Sequence, residues 1–98
     1  MIPDGTEVIE NNQYEALDYE RVFIPKSVVE IQEHAFAECK NLKEVTIEKG
    51  SKLKTIGKEA FLNCDNLTRI AFSEGLEKIC LGAFQNTKLE SVEFPTSL

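Results

Sequence analysis

The sequence predicts an α/β solenoid, with a short parallel β-sheet along one side and short helical turns and loops on the other, wound as one repeat domain over 1–98. Three observations carry this. "IQEHAFAECKNLKEVTI", from Ile31 to Ile47, has a near twin in "IGKEAFLNCDNLTRIAF", from Ile56 to Phe72. The dipeptide Ala-Phe recurs as Ala35-Phe36, Ala60-Phe61 and Ala83-Phe84, at steps of 25 and 23 residues. Each copy closes on a short alternating stretch. Self-similarity at a period of roughly 20–50 residues is the signature of a stack of supersecondary units, none of which can bury its apolar side alone.

The register holds beyond the Ala-Phe pair. The isoleucine four residues before the alanine recurs as Ile31, Ile56 and Ile79, and three residues earlier stand Val28, Leu53 and Leu76. After the pair, Leu42, Val45 and Ile47 answer to Leu67, Ile70 and Phe72, then to Leu89, Val92 and Phe94. Tyr19, Val22 and Ile24 extend it backwards by 23 residues, while Ile9 and Tyr14 hold the Ile and Phe places and Gln13 replaces the alanine. The chain therefore reads as about four units: 1–24, degenerate and capping, then 25–47, 48–72 and 73–94, with 95–98 opening another.

Each element has a local cause. Leu-x-x-Val-x-Ile alternates, so Val45 and Ile47 point one way and Glu44 and Thr46 the other, as in a short strand. "HAFAEC" places Ala35, Phe36 and Cys39 at spacings that suit a helical turn. "IPKS", "EKGS" and "SEG" supply the glycine or proline that turns the chain between them. Stacking then sets like residue on like residue. Tyr14, Phe36, Phe61 and Phe84 are expected to form an aromatic column, and Val22, Val45, Ile70 and Val92 an aliphatic one.

The pattern in "IPKSVVEIQEHAFAECKNLKEVTI", Ile24 to Ile47, resembles the leucine-rich repeat proteins, most closely their BspA-like subclass. The match runs from Ile24 to Phe94 and weakens over Ile2 to Phe23. Departures are Gln32 and Cys80 at the usual glycine, Thr87 at the usual cysteine, and two extra residues around Gly50 and Ser51. The resemblance implies a leucine-rich-repeat solenoid with its parallel sheet on the concave side. It also implies a non-catalytic role in recognising another protein, often a host or cell-surface one, and a secreted or surface location.

Composition narrows the function classes. A net charge of −6 over 98 residues repels phosphate backbones, so no nucleic-acid partner is expected. No run of apolar residues is long enough to span a membrane. "MIPDGTEVIE" lacks the basic and apolar regions of a signal peptide.

Residues capable of chemistry read as structural. Cys39 and Cys64 share a column and are expected to be small buried hydrophobes rather than a disulfide or half a metal site, since no closely spaced cysteine pair is present. Cys80 is an incidental thiol. His34, the single histidine, has Glu59 and Gly82 as column mates and no nucleophile at a recognisable spacing. Asn66-Leu67-Thr68 fits a glycosylation sequon, but Leu67 is expected inside. No catalytic, metal or cofactor site is assigned, and no cofactor is expected.

One surface row stands out. On the strand face opposite the core, Arg21, Glu44, Arg69 and Ser91 form one column, and Phe23, Thr46, Ala71 and Glu93 the next. Cross-strand pairing between alternating charges is the structural reading. The functional reading makes these eight residues the ligand face for another protein or a surface glycan, because arginine and aromatic side chains are enriched at binding hot spots. The rival to recognition is a stacking or spacer segment of a longer array with no ligand of its own. "FPTSL" brings no polar cap, so self-association through an uncapped carboxy-terminal edge is also expected.

Overall fold

The computed structural model describes residues 1–90 together with Phe94, Pro95 and Ser97. Seven short strands follow one another: β1 Val8–Ile9, β2 Arg21–Ile24, β3 Glu30–Ile31, β4 Glu44–Ile47, β5 Thr55–Ile56, β6 Arg69–Ile70 and β7 Lys78–Ile79. Odd and even strands separate into two parallel sheets, β1-β3-β5-β7 and β2-β4-β6. Every pairing joins a residue to its counterpart one turn later, as in Ile9, Ile31, Ile56 and Ile79, or Val22, Val45 and Ile70. The result is a parallel β-solenoid of about three turns, and the repeat step read from the sequence is its pitch.

The aromatic column is present. Tyr14, Phe36, Phe61 and Phe84 stack with ring centroids 5.4, 5.2 and 5.3 Å apart and planes within 14° of parallel. These spacings slightly exceed the roughly 4.8 Å between neighbouring strands, so the rings lie offset, the arrangement their quadrupoles favour. We number the rungs of the stack one to four by these four residues. Phe36 and Phe61 are fully buried, with Ile9, Ile24, Ile31, Leu42, Leu53, Ile56, Leu67 and Leu76 around them. Val92 lies outside the described residues, but the rest of the aliphatic column, Val22, Val45 and Ile70, is buried.

The expected helical turns are not there: among the described residues, no segment is helical. The stretch from His34 to Cys39 is a run of β-turns instead. Ala35 and Ala37 donate their amides locally, to Gln32 O and His34 O at 3.2 and 3.1 Å. The alternate amides of His34, Phe36 and Glu38 donate across the stack, to Lys58 O, Ala60 O and Leu62 O at 3.1, 2.8 and 2.7 Å. A helix would spend every amide on its own carbonyl four residues back and leave none for the next turn of the solenoid. Splitting the donors satisfies both demands.

The split requires left-handed backbone twice per turn. Asn12, His34, Glu59 and Gly82 hold φ of 59, 58, 54 and 69°, and Ala16, Glu38, Asn63 and Asn86 hold 60, 62, 59 and 60°. Residues other than glycine and asparagine enter this region at about 1–2 kcal/mol each. Intercoil bonds and ring stacking offset that cost at His34, Glu38 and Glu59. A different constraint acts at Gly57, where a Cβ would lie 2.8–2.9 Å from the backbone of Ile31, Gln32 and Glu33. There the third rung rests on the second with no room for a side chain.

The two ends differ. In the first rung the amide of Glu10, whose counterparts Gln32, Gly57 and Cys80 donate to the preceding isoleucine carbonyl, is capped by Gln13 Oε1 at 2.8 Å. In the fourth rung the amides of Gly82, Phe84 and Asn86, whose counterparts in rungs one to three donate onward, find no acceptor among the described residues.

Candidate functional site

The outward row is assembled by β2, β4 and β6. Parallel pairing in register brings Arg21 beside Glu44 and Glu44 beside Arg69, and sets Phe23 beside Thr46. Because side chains alternate along each strand, burying Val22, Val45 and Ile70 forces their neighbours outward. Arg21, Phe23, Thr46, Arg69 and Ala71 are exposed, and Glu44 is half-buried. The remaining two candidates, Ser91 and Glu93, lie outside the described residues.

Glu44 is shared by two guanidinium groups. Arg21 Nε lies 3.4 Å from its Oε1 and Arg69 Nη1 lies 3.9 Å from its Oε2. Both contacts are loose, and the arginine side chains remain 78% and 76% exposed. Ion pairs of this kind contribute about 0–1 kcal/mol. Thr68 and Glu90, neither anticipated in the row, join Glu44, Thr46, Arg69 and Ala71 around an open groove of about 560 Å³. Thr68 sits one residue before the outward Arg69, a place the alternation alone assigns to the inside.

The turn side carries the other titratable groups. His34 Nε2 is 2.7 Å from Glu59 Oε1, and its Nδ1 is 3.6 Å from Glu33 Oε2. The 25-residue step already puts His34 over Glu59, so that contact is legible in the sequence; the approach of Glu33 is not. Next to it, Glu38 receives the Asn63 side-chain amide at 2.6 Å, and Lys40 bridges Glu38 and Asp65 at 3.2 Å each. The Asn63 hydrogen bond, then Lys40, holds the Glu38 carboxyl below the usual glutamate range, and Asp65 holds the Lys40 ammonium above its own. Glu33, Lys40 and Asp65 are about half exposed, while His34 and Glu59 are part-buried. Nothing in the arrangement offers a nucleophile beside a base, and among the described residues no three His, Cys, Asp or Glu are arranged to hold a metal.

The cysteine column is a packing column. Cys39 and Cys64 are buried, and their thiols donate to Tyr14 O at 3.3 Å and Phe36 O at 3.1 Å. The Cys64 thiol beside it holds the Cys39 thiol down to about 7 against its burial. Cys64 itself is pushed up, first by Cys39 and then by burial. Thr87 takes the same place in the fourth rung and bonds Phe84 O at 2.9 Å. Cys80 is half-buried and forms no disulfide with Cys39 or Cys64. Leu67 is buried, and Asn66 spends its side-chain amide on Lys40 O at 2.7 Å, which occupies the atom a glycan would need.

A parallel β-solenoid with in-register columns, a buried aromatic stack and one outward strand row defines a repeat module. The family model of the BspA type leucine rich repeat region (6 copies) matches residues 1–98, and the chain belongs to that family. No curated protein and no solved structure matches the chain. Repeats of this type are generally non-catalytic and often serve in binding.

Proposed function

We propose that the chain is a non-catalytic recognition module that binds another protein through the outward face of the three-stranded sheet. Arg21, Phe23, Thr46, Arg69 and Ala71 form the contact row, with Glu44 orienting the arginines, and no cofactor takes part. One observation carries the reading. On a chain of net charge −6, the row keeps two guanidinium side chains 78% and 76% exposed beside Phe23 at 49%. Stability alone gives no reason to leave an aromatic ring in water there, and these residue types dominate binding hot spots.

The loose pairing of both arginines with Glu44 supports a second reading, in which the row only ties strands together and the chain acts as a spacer in a longer array. Capture of a cell-surface protein by the immobilised chain, repeated with Arg21, Phe23 and Arg69 changed to alanine, separates the two. Recognition predicts loss of the captured protein from a variant that keeps its circular dichroism spectrum; undiminished capture rejects the row. The amides of Gly82, Phe84 and Asn86, which have no acceptor among the described residues, support association of copies at the fourth rung. Sedimentation tests it: a mass fixed at 11.1 kDa across concentrations rules it out.

A further inference from the structure

Among the described residues, most of the donors on Arg21 and Arg69 find no partner. Glu44 engages Arg21 through Nε alone and stands 3.9 Å from Arg69 Nη1, too far for a hydrogen bond, whereas a guanidinium presents a fork of N–H groups able to grip a carboxylate with two at once. The two forks stand on β2 and β6, with β4 between them, so they are separated by about 10 Å, two strand widths. Two residues further along the strands runs a second strip, Phe23, Thr46 and Ala71, without charge. The face is thus a cationic strip interrupted by one carboxylate, with an uncharged strip about 7 Å to its side that holds Phe23 and Ala71. Glu90 closes the groove at its margin.

We infer that the partner presents an acidic amphipathic segment to this face, with carboxylates about 10 Å apart that take over the two guanidinium groups and apolar side chains that cover Phe23 and Ala71. A helix suits that spacing, because residues seven apart lie on one face and rise about 10.5 Å. Glu44 is then an internal competitor, holding both arginines extended until stronger, two-pronged acceptors arrive. The inference rests on the recognition reading above and adds the chemistry of the partner.

The test uses the whole chain and three synthetic helical peptides of one length. The first carries glutamates seven residues apart with leucines between them; in the second the glutamates become glutamine, and in the third lysine. Nuclear magnetic resonance titration is expected to shift β2, β4 and β6 signals with the glutamate peptide. Affinity should fall at least roughly tenfold for the glutamine peptide and further for the lysine peptide, and should weaken steeply with salt. Arg21→Gln with Arg69→Gln should abolish the preference, and Glu44→Gln should tighten the glutamate peptide several-fold. Equal binding of the glutamate and glutamine peptides, or a preference that survives loss of both arginines, overturns the acidic partner. If it is overturned while alanine at Arg21, Phe23 and Arg69 still removes a captured protein, the recognition face stands and only its assigned chemistry falls. If that capture is also unaffected, both fall.

Discussion

Phe61 and Phe84 occupy the same place in consecutive rungs, follow the same alanine, and stack on each other at 5.3 Å with planes 5° apart. Yet Phe61 is fully buried, and Phe84 is only partly so. Phe61 has a ring on each side, Phe36 and Phe84; Phe84 has Phe61 on one side and the edge of Phe72 at 5.7 Å. Their amides divide in the same way, Phe61 donating to Ala83 O at 2.8 Å and Phe84 to no described acceptor. In a solenoid a residue's contribution is set by how many neighbouring rungs cover it, because each turn contacts only the turns beside it.

The comparison is sharpest under truncation. Phe61→Ala should cost about 3–5 kcal/mol, the range for a large side chain removed from a closed core, and Phe84→Ala about half of that. Urea unfolding of both variants measures the gap, and equal losses would show that rung position does not matter. Gly57→Val should come next, at about 1–3 kcal/mol, since its side chain meets backbone that cannot step aside. A smaller effect of opposite sign is expected at Ala16, whose φ of 60° suits glycine better: Ala16→Gly should raise stability by about 0.5–1 kcal/mol. In hydrogen exchange, Gly82, Phe84 and Asn86 should lose their amide protons well before Glu59, Phe61 and Asn63, and equal protection would mean the fourth rung is closed.

The smallest effect is electrostatic. The Glu38 carboxyl is held down in the folded chain, so its stabilising contribution is complete above the ordinary glutamate range and fades as pH falls through the lowered value. Asn63→Ala removes the principal cause and should move the Glu38 titration midpoint back upward, measurable by carbon-detected resonance titration. No movement would assign the shift to Lys40 instead.

Much of the fold is legible in the sequence because the stack makes it one-dimensional. Aligning Tyr14, Phe36, Phe61 and Phe84 by eye is already the aromatic column, and aligning Val22, Val45 and Ile70 is already the core side of the sheet. The same alignment places Arg21, Glu44 and Arg69 side by side on the outward face. It fails at His34 to Cys39, where a spacing that suits a helix is followed by a chain of turns. A side-chain pattern reports which residues face inward, but not where the amides between them are spent. It also misses the second sheet, because two-residue strands such as Glu30–Ile31 and Thr55–Ile56 are too short to show alternation.

What the sequence determined alone is the period and the columns, since burying repeated apolar sides leaves one economical arrangement, like upon like. Only the tertiary structure decided the backbone between the columns. Alternate amides of His34, Phe36 and Glu38 reach a neighbour that a single repeat does not contain, and that reach holds His34 and Glu38 in left-handed conformations their own residue types do not favour. The tertiary structure likewise decided that Glu44 meets its two arginines loosely, because the length of that contact depends on side-chain reach across strands and not on the register that brings them together.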